Sequence, residues 1–150
     1  MGRGAGTGGP DEEEARMTRF AIDAHAAVRL VGEGFTVPEG HQLVAPNLLR
    51  SEAMGLLYRD VRAGAIEPAR ADVLLERLTT LRVRLLGDRV SRAVAWRIAT
   101  EGGWDDTAPA EYVAVARLQA DVLVALDPDL AARARGLVDV VPVETLLAAR

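Results

Sequence analysis

Asp23 follows the apolar run Phe20-Ala21-Ile22, and Asp127 follows the longer run Val122-Leu123-Val124-Ala125-Leu126. Such runs read as strands covered on both faces of a parallel sheet, so each carboxylate stands at a strand's carboxyl end. Open parallel sheets bind ligands outside those ends, which makes Asp23 and Asp127 partners in one crevice. A third acid, Glu52, falls on the apolar stripe of a predicted helix that carries Ala45, Leu48, Leu49, Ala53, Leu56 and Leu57. Hard cations such as Mg²⁺, with Mn²⁺ as a substitute, are held by a few carboxylates together with water and substrate phosphate. A metal so held activates water and stabilises the charge that develops on a phosphodiester under attack, so hydrolysis of a nucleic-acid backbone is the candidate reaction. The plainer role for any one of these acids alone is a helix cap or a turn former.

Other chemistries find less support. The absence of cysteine removes disulfides, thiolate metal sites and a Cys nucleophile, and it agrees with a reducing compartment. The two histidines, His25 and His41, do not stand at zinc spacing. His25, two residues after Asp23, is a possible phosphate contact or base, although a helix-start residue is the commoner outcome. The glycines lack the spacing and the following Lys-Ser or Lys-Thr of a phosphate-binding loop. A net charge of −4 argues against bulk electrostatic binding of nucleic acid and leaves a local cationic patch open. Arg82, Arg84, Arg89 and Arg92 cluster around one predicted strand-to-helix junction, where their guanidinium forks match RNA phosphates or simply form a solvated face.

The positioning elements follow from periodicity and turn chemistry. Residues 1–16 are rich in Gly with a run of Glu, a mixture that buries little, and are expected to be a disordered extension to one domain over 17–150. A strand ending at Asp23 leads into a helix over 24–31, and a Gly/Pro-rich loop precedes a short strand over 43–45. Pro46-Asn47 opens a helix to about residue 63, and Glu67-Pro68 opens another to residue 78. A half-exposed strand over 81–86 precedes a helix capped by Asp88, with Trp96 and Ile98 as its anchors and Gly102-Gly103 as its end. Asp106-Thr107 caps the next helix, which carries Pro109, Tyr112 and Val113, and then comes the strand before Asp127. A helix over 129–135, a strand over 138–141 and a helix from Glu144 complete a β/α alternation. With aromatics at 4%, the core is expected to be Leu, Val and Ala. Trp96 and Tyr112 are placed on apolar helix faces, and Trp104, beside Asp105 and Asp106, is the aromatic expected to meet substrate. No apolar stretch is long enough to span a bilayer and no signal peptide is evident, so a cytoplasmic protein without a membrane partner is expected.

The ordered segments FAIDAHAAVRLV, APNLLRSEAMGLL, WDDTAPAEYVAVARLQADVLVALD and LVDVVPVETL resemble PIN domains, most closely the VapC-like toxins, from Met17 to about Leu147. The resemblance implies a three-layer α/β fold with a central, mainly parallel twisted sheet flanked by helices. It also implies a Mg²⁺-dependent endoribonuclease whose metal ligands are Asp23, Glu52, Asp127 and one further acid, a cognate antitoxin protein as partner, and a homodimer. The family's third acid lies in a word that matches Ala108-Pro109-Ala110, so Pro109 stands where an acid is expected. Asp106 is the favoured replacement, with Asp105 and Glu111 nearby. Ala125 replaces a hydroxyl residue common two positions before the last acid, removing a hydrogen bond that could orient it. Both departures are motives for the alternative of a PIN-like module that binds RNA or a protein without catalysis. A flavodoxin-like or receiver-like domain also gathers aspartates at strand ends, but its starting acid pair and mid-chain phosphoacceptor are missing here.

Overall fold

The computed structural model describes residues 17–148, so the expectation for residues 1–16 lies outside the described residues. Five strands, β1 (Thr18–Ile22), β2 (His41–Pro46), β3 (Arg84–Leu86), β4 (Val122–Val124) and β5 (Val140–Val141), form one parallel sheet in the order β3-β2-β1-β4-β5. The chain steps from β1 to β2 to β3, then returns across the sheet to lay β4 on the other side of β1. That reversal makes the gap between β1 and β4 the switch point at which such sheets open a ligand crevice.

Seven helices accompany the strands among the described residues: α1 (Ala24–Gly32), α2 (Leu49–Arg62), α3 (Pro68–Thr80), α4 (Arg89–Gly102), α5 (Ala108–Gln119), α6 (Pro128–Ala134) and α7 (Val143–Leu147). Crossovers between parallel strands are almost always right-handed. With the strand order reversing at β1, α1, α2 and α3 therefore cover one face and α4 and α5 the other. The packing agrees, because α1, α2 and α3 contact one another while α5 lies on β1, β2 and β4 with α4 against it. The protein is thus a three-layer α/β fold with helices on both faces of a parallel sheet.

The core is aliphatic, built on Ile22, Leu43, Val44, Leu49, Val113 and Leu123, as the low aromatic content requires. Arginines of α2 and α3 tie the helical layer together by binding carbonyls at helix ends: Arg77 donates to Val31 (2.8 Å), Arg70 to Gly32 (3.2 Å) and Arg50 to Leu81 (3.0 Å). Such cations satisfy carbonyls that a helix end leaves without partners. At the end of α4, Gly103 takes the left-handed conformation (φ 66°), where a residue without a Cβ avoids strain.

Several elements differ from the sequence expectations for local reasons. α2 starts at Leu49, not at Pro46-Asn47, because Pro46 still pairs with Leu86 and the Asn47 N–H donates to the Leu86 carbonyl (3.1 Å). β3 covers only Arg84–Leu86, since β2 offers partners to those residues alone and Leu81 is taken as the buried end of α3. β4 stops at Val124, opposite the end of β1 at Ile22. Trp96 does not anchor α4: it is 69% exposed, and the buried stripe of that helix is Ser91, Ala95, Ile98 and Ala99.

Candidate functional site

A cleft of about 250 Å³ opens at the carboxyl edge of the sheet, beside the β1/β4 switch point. Asp23, Glu52, Asp106 and Asp127 all line it, with His25 and Arg59 also in its wall. The four acids arrive from separate elements: the end of β1 supplies Asp23, the β4–α6 connection supplies Asp127, α2 supplies Glu52, and the approach to α5 supplies Asp106.

Each carboxylate is held by the chain around it. Asp23, only 2% exposed, caps α1 by accepting the Ala26 N–H at Oδ1 (2.8 Å) and accepts the Asp127 N–H at Oδ2 (2.9 Å). One side chain thus ties β1, α1 and the β4–α6 connection together. Burial pushes the Asp23 carboxyl above the ordinary aspartate range, and the N–H groups of Asp127 and Ala26 work against that shift. Asp127 caps α6 through the Asp129 N–H (3.1 Å), and Asp106 accepts the Ala108 N–H (3.2 Å) as α5 begins. The cleft therefore faces the first turns of helices, whose free N–H groups favour negative charge nearby.

Glu52 is the exception, since among the described residues no main-chain group holds its carboxylate. The buried Tyr112 hydroxyl donates to its Oε1 at 2.6 Å, from α5 on the other side of the sheet edge. Burial first, and then that hydrogen bond and the Glu52 charge, push the ionisation of Tyr112 far upward, so the phenol keeps its proton. The apolar stripe on which Glu52 falls is real, with Leu49, Ala53 and Leu57 buried, and the charge on it is answered by a donor.

The donor set is all oxygen, which suits a hard divalent cation. A carboxylate has about four acceptor positions, and the bonds above leave some of them unused on every acid. Yet among the described residues no three His, Cys, Asp or Glu side chains stand close enough together to hold a metal ion as they are. The acids share a cleft, so a cation would have to draw them inward. Of Asp105, Asp106 and Glu111, only Asp106 lines the cleft, and Pro109 lines it too. Glu111 faces a separate small cavity with Arg92, and its carboxyl is raised by burial and then by the charges of Glu52 and Asp106.

Other sequence candidates are spread out. Arg89 and Arg92 follow the carboxyl end of β3, whereas Arg82 and Arg84 precede or open that strand, so the four arginines divide between opposite edges of the sheet. They do not form one patch beside the acids. Trp104 is half-buried under the Arg133 guanidinium (5.3 Å to the ring centre) and does not line the cleft. Sequence reasoning missed Arg59 and Tyr112 as neighbours of the acids. Arg59 lies seven residues after Glu52, a helical spacing that places both on one face. Tyr112 sits in an apolar helix face, and nothing in its spacing marks its hydroxyl as the partner of Glu52.

No protein-family model matches the chain, and no curated protein matches it by sequence. The fold is similar to the crystal structure of PAE2754 from Pyrobaculum aerophilum, with a TM-score of 0.68 and 27% identity over 88% of this chain and 94% of that chain. Among the described residues no helix is long and apolar enough to cross a membrane.

Proposed function

We propose that the cleft is the active site of a metal-dependent endoribonuclease of the PIN, VapC-like type. The observation that carries this reading is that Asp23, Glu52, Asp106 and Asp127, scattered over the chain, line one open cleft at the switch point of a parallel sheet. Asp23, Glu52 and Asp127 hold Mg²⁺ or Mn²⁺, and Asp106 assists in place of the acid missing at Pro109. The chemistry a bound cation supplies is activation of water and neutralisation of charge on the phosphodiester. Asp23 is positioned by its two main-chain donors, and Tyr112 orients Glu52. Arg59 in the cleft wall, with Arg89 and Arg92 further along the same edge, offers guanidinium groups to the phosphates that flank the scissile bond. A cognate antitoxin, a homodimer and a cytoplasmic location accompany this reading as expectations.

Incubating the purified protein with total RNA and Mg²⁺ or Mn²⁺ tests it. The wild type is expected to cleave, with Asp23→Asn or Asp127→Asn reducing the rate by about a hundredfold or more. Equal activity in wild type and variants contradicts the proposal.

Pro109 in the cleft wall favours a second reading, a PIN-like module that binds RNA or a protein without cutting. Under it the wild type is inert towards RNA with either metal, and binding survives the loss of any single acid.

A further inference from the structure

A second cavity, of about 310 Å³, opens at the amino-terminal edge of the sheet, where β2 and β3 begin. His41, Gln42, Arg82 and Arg84 supply its polar lining, and no carboxylate among the described residues lines it. That is notable in a chain with a net charge of −4.

Arg82 and Arg84 are both exposed, and their alternate positions in an extended segment direct them to the same side. The residue between them, Val83, packs against the core instead. Other arginines have structural work, as Arg50, Arg70, Arg77 and Arg92 each reach a main-chain carbonyl. Among the described residues neither Arg82 nor Arg84 has a hydrogen bond or ion pair. The Gln42 Oε1 is already occupied by Arg19 Nε (3.1 Å), which leaves the Gln42 amide N–H groups as donors. His41 Nδ1 is buried without a partner, and the ring stands edge-on to Phe20 at 5.2 Å. An unpartnered buried polar atom is a cost the fold retains.

We propose that this cavity is an anion-binding site for a phosphate group, with Arg82 and Arg84 as the guanidinium clamp and Gln42 and His41 as its polar wall. Two forked donors on one side of an extended segment match phosphate oxygens, and no acid among the described residues lines the cavity beside them. The group belongs either to a small phosphorylated ligand, for which the cavity volume is adequate, or to a polynucleotide backbone passing the sheet edge. The competing role for charged side chains here is to guard edge strand β3 against pairing with another chain, which requires no ligand. The proposal stands independently of the acidic cleft at the other edge of the sheet.

Titrating the full chain, without divalent cations, with inorganic phosphate, 5′-AMP and a short single-stranded oligoribonucleotide tests it by calorimetry and amide chemical shifts. Binding is expected to weaken about tenfold or more in Arg82→Ala/Arg84→Ala. A control variant, Arg62→Ala/Arg97→Ala, removes two exposed charges elsewhere and is expected to retain affinity. A response to phosphate and 5′-AMP assigns the site to small phosphorylated ligands, and a response to the oligonucleotide alone assigns it to a polynucleotide backbone. The variant Arg82→Lys/Arg84→Lys keeps the charge without the fork and is expected to fall between wild type and the alanine variant. No binding of any probe by the wild type, or equal affinity in the wild type and the Arg82→Ala/Arg84→Ala variant, overturns the proposal.

Discussion

Tyr112 donates its hydroxyl hydrogen to Glu52 at 2.6 Å, linking α5 to α2 beside the acidic cleft. Among the described residues no other hydrogen bond reaches that carboxylate, so Tyr112 is what turns a charge on an apolar stripe into an oriented group. Tyr112→Phe keeps the ring and removes the donor. Loss of a hydrogen bond to a charged group is worth about 1.5–3 kcal/mol, and the partial exposure of Glu52 places the expected loss of stability at the lower end. In the proposed nuclease the same change lowers kcat about tenfold with little effect on KM for RNA. Equilibrium unfolding and steady-state kinetics of the variant check both, and an unchanged kcat removes Tyr112 from the positioning role.

Asp23 carries structure as well as the proposed chemistry. Asp23→Ala leaves the N–H groups of Ala26 and Asp127 without their acceptor. Loss of a helix cap together with a buried hydrogen bond is expected to destabilise the protein by about 2–3 kcal/mol. Urea denaturation measures it, and a stability equal to wild type contradicts the tethering role.

Asp88 gives the clearest pH dependence. It caps α4, accepting the Ser91 N–H at 2.8 Å, and this bond holds its carboxyl below the ordinary value of 3.8. A group whose folded value is lowered stabilises the fold above the unfolded value, and that stabilisation is lost as pH falls through the folded value. The stability gap between wild type and Asp88→Ala is therefore expected to hold steady at pH 5–7 and to close as the solution is taken below pH 3.8. Thermal unfolding of both proteins across that range is the check; a gap that widens in acid contradicts it.

Pro109 offers a direct test of whether the cleft has lost a ligand. It lines the cleft with the four acids, in the first turn of α5, where a proline is well tolerated and an aspartate is favoured. Pro109→Asp is expected to tighten Mn²⁺ binding about tenfold if the missing acid limits the site. Unchanged affinity means that Asp106 already fills that role.

Much of the architecture was legible because buried parallel strands announce themselves as apolar runs. Phe20-Ala21-Ile22 and Val122-Leu123-Val124 gave the two strands at the switch point, and the aspartates that follow the two apolar runs gave two members of the cleft. Glu52 was legible as a charge out of place on a stripe. Strand ends were not, because they depend on partners: β4 stops where β1 stops, whatever the hydrophobicity of Ala125 and Leu126. Trp96 misled because residue type suggested burial, whereas the stripe of small residues on α4 decides which face packs. The arginines around β3 looked adjacent in sequence, but a strand carries its two ends to opposite edges of a sheet, and only the fold shows which arginine reaches which edge.

The most direct test of the central claim is calorimetric titration of Mn²⁺ into the wild type and into Asp23→Asn and Asp127→Asn, alongside cleavage of RNA by the same samples. The wild type is expected to bind Mn²⁺, with affinity weakened about tenfold or more in each variant and cleavage lost in parallel. Absence of Mn²⁺ binding by the wild type, or binding and cleavage indifferent to both substitutions, would contradict it.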